Sequence, residues 1–152
     1  MTMKLKIPPA LVFLSFAILM YLLDFWLPVG EFEFFGRKWM IYALTGIAIL
    51  VSLVALLQFS RAGTTIDPRD PAKSKVLVTT GIYNYTRNPM YLALLLLLLA
   101  WGLYLGNAFN TLLAALFVAY MNRFQILPEE ESLEKEFGQV YRTYCMAVRR
   151  WF

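Results

Sequence analysis

Histidine is absent from the 152-residue chain, and cysteine occurs once, at Cys145. Without histidine the common zinc sites and the Ser-His or Cys-His nucleophile pairs are excluded, and a lone cysteine excludes an internal disulfide. Cys145 itself is expected to pack rather than to react. Charge is scarce as well: 16% of residues are Asp, Glu, Lys or Arg, against 60% hydrophobic. A chain this short and this apolar is an integral membrane protein rather than a soluble domain. Acids and bases are missing from the middle of its apolar runs, where an ion-coupled carrier would need them. The nearest candidate, Asp24, falls close to Trp26 and Pro28 at the end of the first run. A net charge of +4 raises nucleic acid or anionic lipid as partners in a soluble protein, but here the placement of the charges matters more than their sum.

What is present in abundance is hydrocarbon. Apolar runs cover about residues 9–27, 39–59, 90–105 and 108–127, each long enough, or nearly so, to cross ~30 Å of bilayer as a helix. The first resembles a signal peptide but lacks a small-residue cleavage site and is expected to be retained. Of the fourteen Lys and Arg residues, Lys4 and Lys6 precede the first run, five lie in residues 61–87 and five follow from Arg123 onward. Only Arg37 and Lys38 lie in the first connection, and none in the third. The predicted fold is therefore all-α and polytopic, a single domain over residues 1–152 with about four spans. Both termini and the middle loop are expected to be cytoplasmic, in a cell inner membrane.

Beyond the spans, Leu133, Phe137, Val140, Tyr141, Tyr144 and Val148 recur at spacings of three and four. That stripe predicts an amphipathic helix over about residues 129–148, lying along the membrane interface.

The chemistry concentrates in "TTGIYNYTRNPMYLALLLLLL", where a glycine, a cation, an amide and tyrosines meet the mouth of a span. Asn88 and Pro89 are suited to the cap and first position of a helix. A bare aromatic belt with a basic anchor would account for Tyr83, Tyr85, Tyr91 and Arg87 one at a time. Together, the free N–H groups of a helix start, the donor fork of Arg87 and the close approach allowed by Gly81 form a cradle for a carboxylate or phosphate. Glu129, Glu130 and Glu131 follow the fourth span on the same predicted side. They either favour the dipole of the next helix or accept from an ammonium and from ribose hydroxyls. S-adenosylmethionine carries carboxylate, ammonium and ribose together.

The patterns "LVTTGIYNYTRNPMY" and "EESLEKEFGQVYRTY", one helical hairpin apart, resemble the isoprenylcysteine carboxyl methyltransferase and phospholipid methyltransferase family of membrane enzymes. The likeness covers residues 76–144. It implies S-adenosylmethionine as methyl donor, without a metal, and an apolar or lipid-like acceptor (an isoprenylcysteine-type carboxylate, a thiol or a lipid amine) at the cytoplasmic face. The cofactor contacts it implies are Lys75, Val76, Leu77, Val78, Tyr83, Asn88, Pro89, Met90, Tyr91 and Glu129. Gly81, Arg87 and Glu130 belong to the same motifs, and Arg87, Tyr91 and Glu129 are the expected catalytic residues. Asn88 stands where the family has His, Lys75 where some members have His, and Gln125 where prenylcysteine-modifying members have a substrate-binding Arg. Arg123 and Gln125 are the expected acceptor contacts, with neutral Gln125 favouring a neutral-bodied acceptor. The expected partners are the bilayer and that small acceptor, not nucleic acid. A non-enzymatic four-helix carrier or scaffold is the alternative.

Overall fold

A computed structural model describes residues 7–63 and 76–152. Most of the middle loop, with the expected cofactor contact Lys75, lies outside the described residues. The described chain is helical: α1 (Pro9–Trp26), α2 (Arg37–Ala62), a single 3₁₀ turn (Gly81–Asn84), α3 (Pro89–Leu105), α4 (Asn110–Met121), α5 (Leu127–Phe137) and α6 (Gln139–Ala147). Proline opens α1 and α3 where no intrahelical N–H is needed, and left-handed glycines, Gly63 and Gly106, close α2 and α3.

Among the described residues three helices are long and apolar enough to cross a membrane, Pro9–Trp26, Arg37–Ala62 and Asn110–Phe137, and Pro89–Leu105 is a shorter apolar helix. Of the about four spans expected from the sequence, three therefore have the length for a full crossing. At 17 residues α3 reaches only about 25 Å, and it is the enclosed member of the bundle. Tyr91, Ala93, Leu95, Leu98 and Ala100 are buried along it, packed with Val12 and Met20 of α1 and Ala114, Phe117 and Met121 of α4. By contrast Leu11, Leu14, Ile18 and Leu22 of α1, and Leu50, Leu53 and Leu57 of α2, stand exposed. Water would not tolerate so continuous an apolar surface, whereas lipid solvates it.

The third long helix is not uniform. Residues 122–126 form one π turn, with the Leu127 N–H bonded to the Asn122 carbonyl, just before Pro128, which has no N–H to give. Its apolar part, residues 110–127, ends there. The next ten residues carry Glu129, Glu130, Glu131, Glu134, Lys135 and Glu136 and cannot lie in hydrocarbon.

Gly138, at φ 55° and ψ −126°, then breaks the single helix predicted over residues 129–148 into α5 and α6. Along the predicted stripe Tyr141 and Val148 are buried and Leu133, Phe137 and Tyr144 half-buried, but Val140 is 65% exposed. The turn at Gly138 rotates the second half away from the first. At the opposite end, the α1–α2 connection is fastened to the α3–α4 turn. Phe32 N–H donates to the Gly106 carbonyl (2.9 Å), Ala108 N–H to the Gly30 carbonyl (3.0 Å), and the Arg37 guanidinium to the carbonyls of Phe32 and Tyr104.

Candidate functional site

The polar end of the α3–α4 hairpin gathers the motif residues. Tyr91, in the first turn of α3, donates a hydrogen bond from its hydroxyl to Oε1 of Glu129 in the first turn of α5. These positions are 38 residues apart in sequence and adjacent in space because α3 and α4 run antiparallel. Tyr83, on the 3₁₀ turn, is 4% exposed, packs edge-on against Phe59 of α2 at 5.3 Å, and has a hydroxyl with no hydrogen-bond partner among the described residues. Burial pushes the Tyr83 hydroxyl well above its ordinary range, and the neighbouring Tyr144 and Glu129 push it further.

Burial dominates at Glu129 as well. It raises the carboxyl to about 8, the Glu130 charge adds to the rise, and the bond from Tyr91 works against it. Near neutral pH this carboxyl changes charge, which an ordinary glutamate does not.

Beside this cluster runs a charge relay of a structural kind. Glu130 accepts from Arg150 through both oxygens, at 2.9 and 2.7 Å, and faces Arg87 Nη2 at 3.2 Å. The Arg87 and Glu130 side chains are 11% and 17% exposed, and Arg87 Nε has no partner among the described residues. The hydrogen bond to Glu130 raises the Arg150 pKa further. Arg87 is therefore committed in part to Glu130 and keeps one free donor.

The C-terminal segment straps the motif loop in place. Arg87 N–H donates to the Arg149 carbonyl (3.0 Å), and the Asn88 amide donates to the Arg150 carbonyl (2.8 Å). Trp151 Nε1 donates to Asn122 Oδ1 (2.9 Å). From α6, the Tyr144 hydroxyl, pushed up to about 12 by burial against the opposing pull of Arg87, donates to the Tyr83 carbonyl at 2.7 Å. Asn88 does occupy the cap position of α3, but its side chain caps nothing. It holds the tail instead, and its N–H donates to Thr86 Oγ1.

Gly81 has a different neighbour from the expected ligand. Its φ is +63°, and a Cβ there would sit 1.5 Å from Gln58 Nε2. Gln58 of α2 lies across the glycine and accepts the Ile82 N–H through Oε1 at 3.2 Å. Val76, Leu77 and Val78 run past the same glutamine and, with Thr79 and Thr80, line a cleft of about 460 Å³. Pro89 is buried and Met90 half-buried at the start of α3.

The two expected acceptor contacts differ in their surroundings. Arg123 is exposed. Gln125 is 1% exposed, donates from Nε2 to the Ile7 carbonyl at the foot of α1 (2.5 Å), and has no partner for Oε1 among the described residues. Gln125 lies within the π turn, four residues before Glu129. Gln58, Thr86, Asn122, Arg150 and Trp151 all serve the site and were not singled out for it in the sequence. Arg150 and Trp151 read there only as part of a basic tail. Among the described residues no cluster of three or more Cys, Asp or Glu is able to hold a metal.

The chain is similar in sequence to known proteins. The phospholipid methyltransferase family matches residues 36–140, a range that includes every one of the motif residues from Val76 to Glu130. An uncharacterized protein of Haemophilus influenzae is 53% identical over 62 residues, 41% of this chain and 98% of that protein. The protein-S-isoprenylcysteine O-methyltransferase of Schizosaccharomyces pombe is 33% identical over 94 residues, 62% of this chain but 40% of the yeast protein's length. No solved structure matches the chain significantly.

Proposed function

Because the chain belongs to the phospholipid methyltransferase family, we propose that it is an S-adenosylmethionine-dependent enzyme methylating an apolar or lipid-like acceptor at the cytoplasmic face of a cell inner membrane. Membership makes it an integral membrane methyltransferase; donor, acceptor class and face belong to the proposal. The observation that carries the donor assignment is the Tyr83–Tyr91–Glu129 cluster, two buried phenols, one of them orphaned, beside a half-buried carboxyl of raised pKa. Evolution seldom leaves a buried hydroxyl unpaired without a ligand to pair it.

The residues present fit the donor. Glu129 would accept from the ammonium or the ribose, Tyr83 would pair with a polar edge of the molecule, and the free Nε of Arg87 would meet the carboxylate. Val76, Leu77 and Val78, beside the cleft, would supply apolar walls, with Lys75 adjoining them and the Asn88–Tyr91 turn closing the end. When bound, S-adenosylmethionine supplies a methyl group already activated by its sulfonium. The protein's share is then alignment and the exclusion of water, and a general-base histidine is dispensable.

The acceptor would enter from the bilayer, with an anionic or neutral nucleophile (carboxylate, thiol or amine) brought to the Tyr91–Glu129 end. The carrier alternative finds no support in a mid-span acid or base, since Asp24 lies in the last turn of α1. Incubating the protein in bilayer discs with methyl-labelled S-adenosylmethionine and a panel of prenylcysteines, apolar thiols and lipid amines tests the proposal. Label should pass to at least one of them, and Glu129→Gln should abolish the transfer. Failure to bind S-adenosylhomocysteine would overturn the donor assignment whatever the acceptor.

A further inference from the structure

At the end of the α3–α4 hairpin remote from Glu129, two asparagines are buried within four residues of each other, and they differ. Asn107 is satisfied: its amide donates to the Leu27 carbonyl at 2.9 Å and its Oδ1 accepts the Phe109 N–H at 3.0 Å. Asn110 is 2% exposed, and neither its Nδ2 nor its Oδ1 has a partner among the described residues. Burying an unpaired carboxamide is costly, and both halves of one left idle point to a missing ligand.

That carboxamide lines a cavity of about 350 Å³ walled by Met20 of α1, Leu44 of α2, Leu98 and Gly102 of α3, and Ala114 of α4. A Cβ at Gly102 would lie in ordinary contact, 3.5 Å, with the Asn110 Cβ, which sets the two residues side by side on the cavity wall. The volume is more than twice that of an apolar cavity able to hold benzene and falls within the usual range of small-molecule sites, roughly 300–1,000 Å³. Besides Asn110 the polar side chains on its wall are Thr111 and Asn107, whose carboxamide is already paired. No Lys, Arg, Asp or Glu lines the cavity, so a charged headgroup would be left uncompensated. A carboxamide offers one donor and one acceptor side by side.

We propose that the cavity between α1, α2, α3 and α4 is a second binding site, for an uncharged long-chain aliphatic molecule whose hydroxyl both donates to and accepts from Asn110. Gly102 lies eleven residues beyond Tyr91, roughly 16 Å along α3, so the site is separate from the reacting end and does not depend on the methyl-transfer reading.

The test uses the full chain in phosphatidylcholine discs and a photoreactive long-chain alcohol carrying a diazirine, with the label located by mass spectrometry. Labelling should fall on α3 and α4 beside Asn110, and 1-dodecanol should displace it at concentrations at least tenfold lower than dodecane. Asn110→Leu should erase that tenfold preference and raise Tm in the absence of alcohol, because an unpaired amide is replaced by hydrocarbon. Ala114→Phe should fill the space and suppress labelling, while the far-UV circular dichroism spectrum and a monodisperse elution profile report that both variants remain folded. Absence of label at the cavity, equal displacement by alcohol and alkane, or a fall in Tm for Asn110→Leu would each overturn the proposal.

Discussion

Between pH 6.0 and 7.5 the affinity for S-adenosylhomocysteine should rise about twentyfold, because the carboxyl of Glu129 must lose its proton to receive an ammonium or ribose hydroxyls. The free carboxyl sits near 8, chiefly through burial. Only about one molecule in ten carries the charge at pH 7, and each unit below 8 costs close to a factor of ten in binding, or about 1.4 kcal/mol. The gain should level off above pH 8. Binding at pH 7 should accordingly release close to one proton, which calorimetry in two buffers of different ionisation enthalpy reads directly. Glu129→Gln should bind weakly, without pH dependence and without proton release. Tyr91→Phe removes the one contact that lowers the carboxyl's pKa and should move the whole profile to higher pH.

The same shift has a stability consequence of fixed sign. A carboxyl whose folded pKa lies above its unfolded value is easiest to bury below about pH 4.5, and its cost grows as pH rises toward 8, to about 5 kcal/mol at most. Without ligand, Tm should therefore fall over that window, and the fall should vanish in Glu129→Gln. A flat affinity profile with no proton release would refute the assignment of Glu129 to the donor and return the residue to a helix-terminal role.

Other expectations follow from single contacts. Glu130→Gln should leave Arg87 and Arg150 facing each other without compensation and cost about 3 kcal/mol, seen as a drop in Tm; Arg150 is partly exposed, so Arg87 should account for most of it. Gly81→Ala should weaken donor binding by straining the +63° backbone and colliding with Gln58, and Gly81→Ala combined with Gln58→Ala should recover part of the loss in the same calorimetric assay. Gln125→Ala should loosen α1 from the bundle by about 1–2 kcal/mol, measured by Tm, without shifting the choice of acceptor. Cysteines placed at Glu33 and Glu131 should react with impermeant reagent from opposite sides, Glu131 from the cytoplasm; the reverse pattern would invert the proposed orientation.

Much of the bundle was legible from hydropathy alone, since any run of about twenty apolar residues between polar breaks has few alternatives to a membrane helix. α1 and α2 fall close to their expected bounds for that reason. What hydropathy does not encode is rank within the bundle: α3, the leucine-richest run and already the shortest of the four in the sequence, is the enclosed one. The break at Gly138 was written in the sequence as a glycine inside a regular stripe, but periodicity outvoted it. The π turn at residues 122–126 left no such mark. A spacing of four carries a face only while the helix stays α, so the inference that sets Gln125 beside Glu129 depends on this turn.

The candidate site divides along a similar line. Motif positions could be named from spacing, but their partners could not, because the partners come from α2 and from the last four residues. Glu130 illustrates the difference. In sequence it is the second of three glutamates and indistinguishable in kind from Glu129. In the fold it is held between Arg87 and Arg150 while Glu129 faces Tyr91. An acid fixed between two guanidiniums is committed as a permanent counter-ion, whereas an acid that accepts from a phenol and pairs with no cation among the described residues, in a site that resists its charge, is available to a cationic ligand. The tail thus acts on the reacting end at one remove: by occupying Glu130 and tying down Arg87 and Asn88, Arg149 and Arg150 leave Glu129 as the carboxyl whose charge a bound donor would complete.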